Sequence, residues 1–224
     1  MNKYLVFSST KYSKKIAKKD NFFKKNFIFY SQKNDLSYSK IKKINPKIIF
    51  FPHWRHIIPS EIHSNFKCIG FHCTPLPYGR GGSPLQNMII RGFKKTKICA
   101  LKIEKRLDAG PIFLKESFDL KGRGEDIMFK MNKVALKMIK EIIRKKINPK
   151  KQIGKIKIFK RRKPKESKIK FNQNINKIYD QIRMLDIDGY PTAFFDDKKY
   201  NVTFTNAVKS GDEIKCLSVI RRKK

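Results

Sequence analysis

The stretch "GFHCTPLPYGRGGSPLQN", Gly70 to Asn87, decides how the rest of the chain is read. An apolar run, Cys68–Phe71, leads into it and reads as a strand ending at His72. A turn stiffened by Pro75 and Pro77 follows, then Gly79, Gly81 and Gly82 around Arg80. Ser83 and Pro84 make a good N-cap and first helical residue, and the short helix they open stops at Gly92. In an open α/β sheet, ligands sit beyond the carboxyl ends of the strands, so His72 is well placed for chemistry. A satisfied core histidine is the competing reading of this stretch alone. The glycines admit close backbone approach, but no Lys-Ser/Thr pair ends the loop, which leaves a phosphate loop poorly supported.

Working outward, "YLVFS" (Tyr4–Ser8), "FIFY" (Phe27–Tyr30) and "KIIFFP" (Lys47–Pro52) are apolar runs that suit buried strands, separated by lysine-rich covering segments. Strands alternating with such segments predict an α/β fold with a Rossmann-like, mostly parallel sheet. "STKYSKK" after the first strand lacks GxGxxG, so a dinucleotide site of the usual kind is unsupported. Thr96–Ile103 and Ile112–Leu120 read as further strands around the turn "LDAGP", and a long helix runs from about Glu125 to Ile147. From Lys150 the chain turns basic and turn-rich. We expect a catalytic-type domain over 1–150, and over 151–224 a linker with a small β-containing subdomain: a helix at Ile175–Leu185, "DGYPTAFF" as a turn, and strands at Tyr200–Thr205 and Ile214–Ile220.

The formal net charge of +36 favours anionic ligands but identifies none, because the basic residues are scattered over the whole chain. The four cysteines lack CxxC spacing and are expected as reduced thiols. Lysines interrupt any secretory leader, and no uncharged run approaches membrane-spanning length, so a soluble cytoplasmic protein with no membrane partner is expected. His53, His56, His63 and His72 cluster in sequence, but without regular ligand spacing or a well-placed acidic or cysteine partner, so no metal is expected.

Taken together, strand–His72–proline-rich loop–"RGG"–"SP" helix, followed some 35 residues later by "LDAGPI" with Asp108, resembles the formyltransferase family that uses 10-formyltetrahydrofolate. "WRHIIPSEI" at Trp54–Ile62, "FKRRKPKESKI" and "IRMLDIDGYPTAFF" extend the resemblance, in order, from about Ile48 to Ala207. It implies 10-formyltetrahydrofolate as co-substrate, with His56, Ile57 and Ile58, the segment Glu104, Lys105, Arg106 and Leu107, and Gly82 lining the folate pocket. It offers Arg80 to the glutamate tail or to acceptor phosphates.

The chemistry so implied is attack of a primary amine on the N10-formyl carbonyl. His72 would aim a proton at the developing oxyanion, and Asp108 would hold its imidazole. One member departs from the pattern. Gly70 stands where the family carries asparagine, and losing one oxyanion donor typically costs about 10²–10³ in turnover. Thr74, the Gly70 backbone or Gln86 are the candidate substitutes. For the acceptor, "GRGGSPLQ" and "WRHII" look closer to the nucleotide-sugar enzymes, and the small C-terminal region leaves limited surface for tRNA. A nucleotide-linked amino sugar is therefore expected first and methionyl-tRNA second, although the charge suits tRNA. A catalytically impaired folate- or RNA-binding module is the reading from another class. A homodimer is left open.

Overall fold

The computed structural model describes residues 4–223 and divides into two compact units, each assembled from several stretches of chain. One comprises residues up to Gly81, Lys97–Phe118 and Phe129–Ile158; the other comprises Gly82–Thr96, Asp119–Met128 and the chain from Phe159 on. The sequence reading, by contrast, expects one cut after 150. Among the described residues, no helix is long and apolar enough to cross a membrane.

The first unit is built on a six-stranded, mostly parallel sheet of order β2-β1-β3-β4-β6-β7, the Rossmann-like architecture expected. Its strands are β1 (Tyr4–Phe7), β2 (Phe27–Tyr30), β3 (Ile48–Pro52), β4 (Cys68–His72), β6 (Lys95–Lys102) and β7 (Ile112–Asp119). β1 pairs in parallel with β2 and β3, and β3 with β4, while β6 runs antiparallel to β4 and sets His72 opposite Cys99. All five residues of β3 are buried, which explains its unbroken apolar run: a strand covered on both faces has no polar side to alternate with. Leu5, Phe7, Ile49, Phe51, Ile41 and Ile62 form one core cluster here, with Phe7 stacked on Tyr30 and Phe51.

Short helices cover the sheet: α1 (Lys11–Ala17), α2 (Asn21–Asn26), α3 (Tyr38–Ile44) and α4 (Ser60–Asn65). Asp20 caps α2 by accepting from the Phe22 N–H at 3.1 Å. Asn45 closes α3 in the left-handed conformation (φ 49°) that asparagine tolerates. The long helix α6 spans Gly124–Lys145, with Glu125 and Asp126 in its first turn and Arg144 and Lys145 in its last, both signs favourable to the helix dipole. Within the first unit it buries Met131, Ala135, Met138, Ile139 and Ile142.

β5 (Tyr78–Gly81), which reads from sequence only as a glycine-rich loop, pairs with β8 (Lys157–Phe159). The second unit carries α5 (Pro84–Ile90), α7 (Ile175–Arg183) and an antiparallel sheet of order β11-β10-β9, from β9 (Ala193–Asp196), β10 (Tyr200–Ser210) and β11 (Glu213–Arg222). β9 occupies the end of the segment read as a turn. α7 is held by its own buried pair: Arg183 Nε donates to Asp180 at 2.7 Å, and Arg183 Nη1 reaches the carbonyls of Leu120 and Gly122. Ser83 does not cap α5 as expected. Its backbone is left-handed (φ 46°), and its hydroxyl accepts from the Arg162 N–H at 3.0 Å.

Candidate active site

The carboxyl ends of β1, β3 and β4 deliver Ser8, His53 and His72 to one edge of the first unit's sheet. His72 is buried, 7% exposed, and both ring nitrogens face acceptors. Nε2 lies 2.7 Å from the carbonyl of Gly79; a carbonyl only accepts, so Nε2 carries a proton. Nδ1 lies 3.5 Å from Asp108 Oδ2, across 36 residues of chain, at ion-pair rather than hydrogen-bond distance.

Asp108 owes its aim to an unusual backbone. It sits in the left-handed region (φ 51°), uncommon for a residue other than glycine but tolerated by Asp and Asn. Its Oδ2 accepts from the Gly81 N–H at 2.9 Å. Two residues on, Gly110 is required by close approach, since a β-carbon there would fall 1.9 Å from the Lys102 carbonyl oxygen. The turn from Lys102 to Pro111 therefore accepts no side chain at 110, and this packing explains the "DAGP" spacing.

β5 closes over the pair: the Gly79 carbonyl accepts a hydrogen bond from Nε2 and the Gly81 N–H donates to the carboxylate. The Gly79 carbonyl also accepts from Thr74 Oγ1 at 3.2 Å. Thr74 is fully buried, so its hydroxyl serves this structural contact. Gln86, the other candidate side chain, is buried in the second unit, with its amide 3.4 Å from the Met184 carbonyl. At Gly70 the space a side chain would need is taken: a β-carbon would meet Ile103 Cγ1 at 3.3 Å and Cδ1 at 3.4 Å. An aliphatic side chain has filled the place beside β4 that the resemblance gives to an amide.

The remaining residues named from sequence fall into two groups. Ile57 is 92% exposed and Leu107 71%, so the two segments assigned to the pterin each present a large apolar side chain to solvent. His56 is exposed with its ring edge-on to Trp54, and Ile58 packs onto the main core cluster. Trp54 Nε1 is buried with no hydrogen-bond partner. Glu104 pairs with Lys102 at 3.4 Å on the surface, and Lys105 and Arg106 are exposed. The second group is turned to structural use. Arg80, offered to an anionic part of a ligand, is buried, and its guanidinium donates to Gln152 Oε1 at 3.1 and 2.8 Å. Gly82 lies in the second unit, where a β-carbon would come within 2.4 Å of Arg161 Cα, so close chain packing accounts for it.

Sequence reasoning missed Gln152. It stands alone in "KKQIGK", with no periodicity or motif to mark it, and only its partners distinguish it. Burial drives His53 down to about 3, with Arg55 adding to the effect, so this histidine stays neutral at physiological pH. Burial likewise pushes the Cys68 thiol up to about 12 and that of Cys99 up to about 11, which makes both poor nucleophiles.

A Rossmann-like sheet carries a buried imidazole, paired with a carboxylate, at its carboxyl edge, an arrangement suited to moving protons on a ligand bound there. The comparisons specify it: residues 6–143, more than half of the chain, match the family model "Formyl transferase", and residues 164–221 match "Methionyl-tRNA formyltransferase, C-terminal domain". The chain belongs to the formyl transferase family. It is 32% identical over 159 residues to a methionyl-tRNA formyltransferase of Thermodesulfovibrio yellowstonii, covering 67% of this chain and 52% of that protein. The chain thus spans about half the length of that relative. A solved structure, methionyl-tRNA formyltransferase from Clostridium thermocellum, is 43% identical with a TM-score of 0.95 and full coverage of both chains.

These findings overturn the expectation that a nucleotide-linked amino sugar is the first-choice acceptor. A likely sugar N-formyltransferase from Mycobacterium tuberculosis shares the fold (TM-score 0.68, covering 88% of this chain and 93% of that one) at only 16% identity. The physical reason lies in where the misleading motifs sit. "WRHII" and "GRGGSPLQ" belong to the segments assigned to folate and to the catalytic loop, and these do not report on the amine.

Proposed function

We infer that this chain transfers a formyl group from 10-formyltetrahydrofolate to the amino group of methionyl-tRNA. The observation that carries the reading is the His72–Asp108 pair at 3.5 Å on a formyl transferase fold. The match of residues 164–221 to a methionyl-tRNA formyltransferase C-terminal domain supports the acceptor. The exposed Ile57 and Leu107 offer apolar surface for the flat faces of a ring system such as the pterin, whose polar edge calls for hydrogen-bonding groups. The charge of +36 suits a polyanionic acceptor, and the second unit holds a cavity of about 310 Å³ bordered by Lys94, Lys121 and Lys209, with Asp180 in its wall already paired to Arg183.

In this reading the tRNA-borne amine attacks the formyl carbon, and the carbonyl oxygen gathers negative charge in the tetrahedral intermediate. His72, protonated at Nε2, lies next to the charge that develops and stabilises it as Gly79 yields the contact. Asp108 uses Oδ2 to hold Gly81 and His72, leaving Oδ1 to accept the proton that the amine must shed. Collapse breaks the bond from the formyl carbon to N10 of tetrahydrofolate, and N10 takes up the proton that Asp108 received from the amine. With Gly70 and Ile103 in place of an amide, the site works with one oxyanion donor fewer.

The deciding experiment incubates the purified chain with 10-formyltetrahydrofolate and methionyl-tRNA, and looks for acid-precipitable formyl-methionine together with the absorbance change of folate release. Formylated methionyl-tRNA is expected. Absence of product at enzyme concentrations stoichiometric with tRNA would refute the reading.

A further inference from the structure

We propose that Gln152 is a positioning residue that sets Asp108 against His72 without touching either side chain; the proposal rests on the formyl-transfer reading of that pair. The orientation of its amide follows from its neighbours. A guanidinium only donates, so the oxygen Oε1 faces Arg80 Nε and Nη2 at 3.1 and 2.8 Å. Carbonyls only accept, so Nε2 faces the main-chain oxygens of Asp108 and Gly110, each at 2.8 Å. All the hydrogen-bonding directions of this amide in the molecule point to two segments: β5 through Arg80, and the turn 108–110 through its carbonyls.

These are the two segments that make the site. Gly79 and Gly81, on either side of Arg80, contact His72 Nε2 and Asp108 Oδ2. Residues 108–110 include the left-handed Asp108. Aspartate tolerates the left-handed region better than most residues but still needs support there, and the two bonds from Gln152 to the 108 and 110 carbonyls add to that from the Gly81 N–H. Gln152 is itself anchored beside β7, because the neighbouring Lys150 exchanges backbone hydrogen bonds with Ile112 at 2.7 and 2.9 Å. The result is a closed circuit: Arg80 to Gln152, Gln152 to the 108–110 main chain, the Asp108 carboxylate to Gly81, and Gly81 back to Arg80. His72 completes it from inside.

Gln152→Glu separates this role from general stability. A glutamate keeps the partner of Arg80 as an ion pair, but opposes two carbonyl oxygens with a carboxylate, so only the turn carrying Asp108 is released. Gln152→Met, similar in shape and without an amide, is run in parallel so that a folding failure of either variant leaves the other to decide. The full-length chain is labelled with ¹⁵N-histidine, and the His72 ring signals are assigned by their loss in His72→Gln. In both variants the His72 Nδ1 and Nε2 resonances should move from their wild-type positions. With methionyl-tRNA as acceptor, kcat should fall by about a hundredfold, the scale of a 1 Å misplacement, while KM for 10-formyltetrahydrofolate stays within about threefold. Unmoved His72 resonances in a folded variant overturn the proposal, as does an unchanged kcat. If the wild type formylates nothing, the functional reading fails separately, and the resonances alone decide for or against the positioning role.

Discussion

Polar groups behave in opposite ways at the carboxyl edge of the first unit's sheet and along β11 in the second. Around β4 they are buried, and each names its partner: His72 with Gly79 and Asp108, Thr74 with Gly79, Arg80 with Gln152. Along β11 nine of ten residues are exposed, with apolar and polar types alike facing solvent: Leu217 is 61% exposed and Ile220 66%. A buried polar group without a partner loses its hydration for nothing, so its surroundings become specific; a solvated one is replaced at little cost. Function gathers where partners are obligatory.

The sharpest way to break this contrast is Asp108→Asn. The amide oxygen still accepts from Gly81, so the fold should hold, but the charge beside His72 and the proton acceptor are gone. Formyl transfer should drop by at least about 10²-fold with the melting temperature nearly unchanged. Transfer at the wild-type rate would remove Asp108 from the mechanism.

Stability offers the next comparison. Ile49 is fully buried in β3, and Ile49→Ala should cost about 2–5 kcal/mol in urea denaturation. Ile220→Thr on β11 should stay within about 0.5 kcal/mol. Equal costs would show that Ile220 is buried in solution and would overturn the contrast between the two regions.

A smaller effect probes the filled space at Gly70. Because a β-carbon there meets Ile103 at 3.3 Å, Gly70→Asn alone should destabilise by about 1–3 kcal/mol. Gly70→Asn combined with Ile103→Ala should cost less than the sum of the two single changes, and a double-mutant cycle by chemical denaturation reads the coupling. Strict additivity would show that Ile103 is not what occupies the place.

The mildest prediction concerns pH and the second unit. Hydrogen bonds from Lys168 and Lys223, at 2.7 and 2.8 Å, pull the Asp196 carboxyl from 3.8 to about 2. A folded value below the unfolded one stabilises at pH above about 4, and that contribution is lost as pH falls through about 2. Between pH 4 and pH 2 the wild type should therefore lose more stability than Asp196→Asn, as measured by melting temperature; parallel loss in the two would dismiss the pair. The effect is small because the carboxylate is open to solvent.

Much of this molecule was legible in one dimension. Unbroken apolar runs placed β1, β2, β3 and β4 to within a residue or two, because largely buried strands, and even the half-buried edge strand β2, carry a continuous apolar pattern that needs no partner to be recognised. The 3.6-residue stripe did the same for α6. β5 and β9 were not legible although they are no shorter than β1 and β2: β5 is half glycine and β9 follows a Gly-Tyr-Pro turn signal, so the strand character of each comes from the neighbour it pairs with. Ser83 misled because a good capping residue is a local preference, and a distant N–H, that of Arg162, competed for its hydroxyl.

By itself the amino-acid sequence determined the sheet, the strand-end histidine and, through an ordered set of motifs, the family. It could not decide the acceptor, since the motifs that seemed to speak for a sugar lie in parts of the chain assigned to the formyl donor. Tertiary structure alone decided which atoms face the imidazole, that Ile103 stands beside Gly70, that Arg80 turns inward and that Gln152 ties β5 to the Asp108 turn. Periodicity and propensity are properties of neighbours along the chain. These contacts join residues 7 to 72 positions apart, and nothing local marks which pairs will meet.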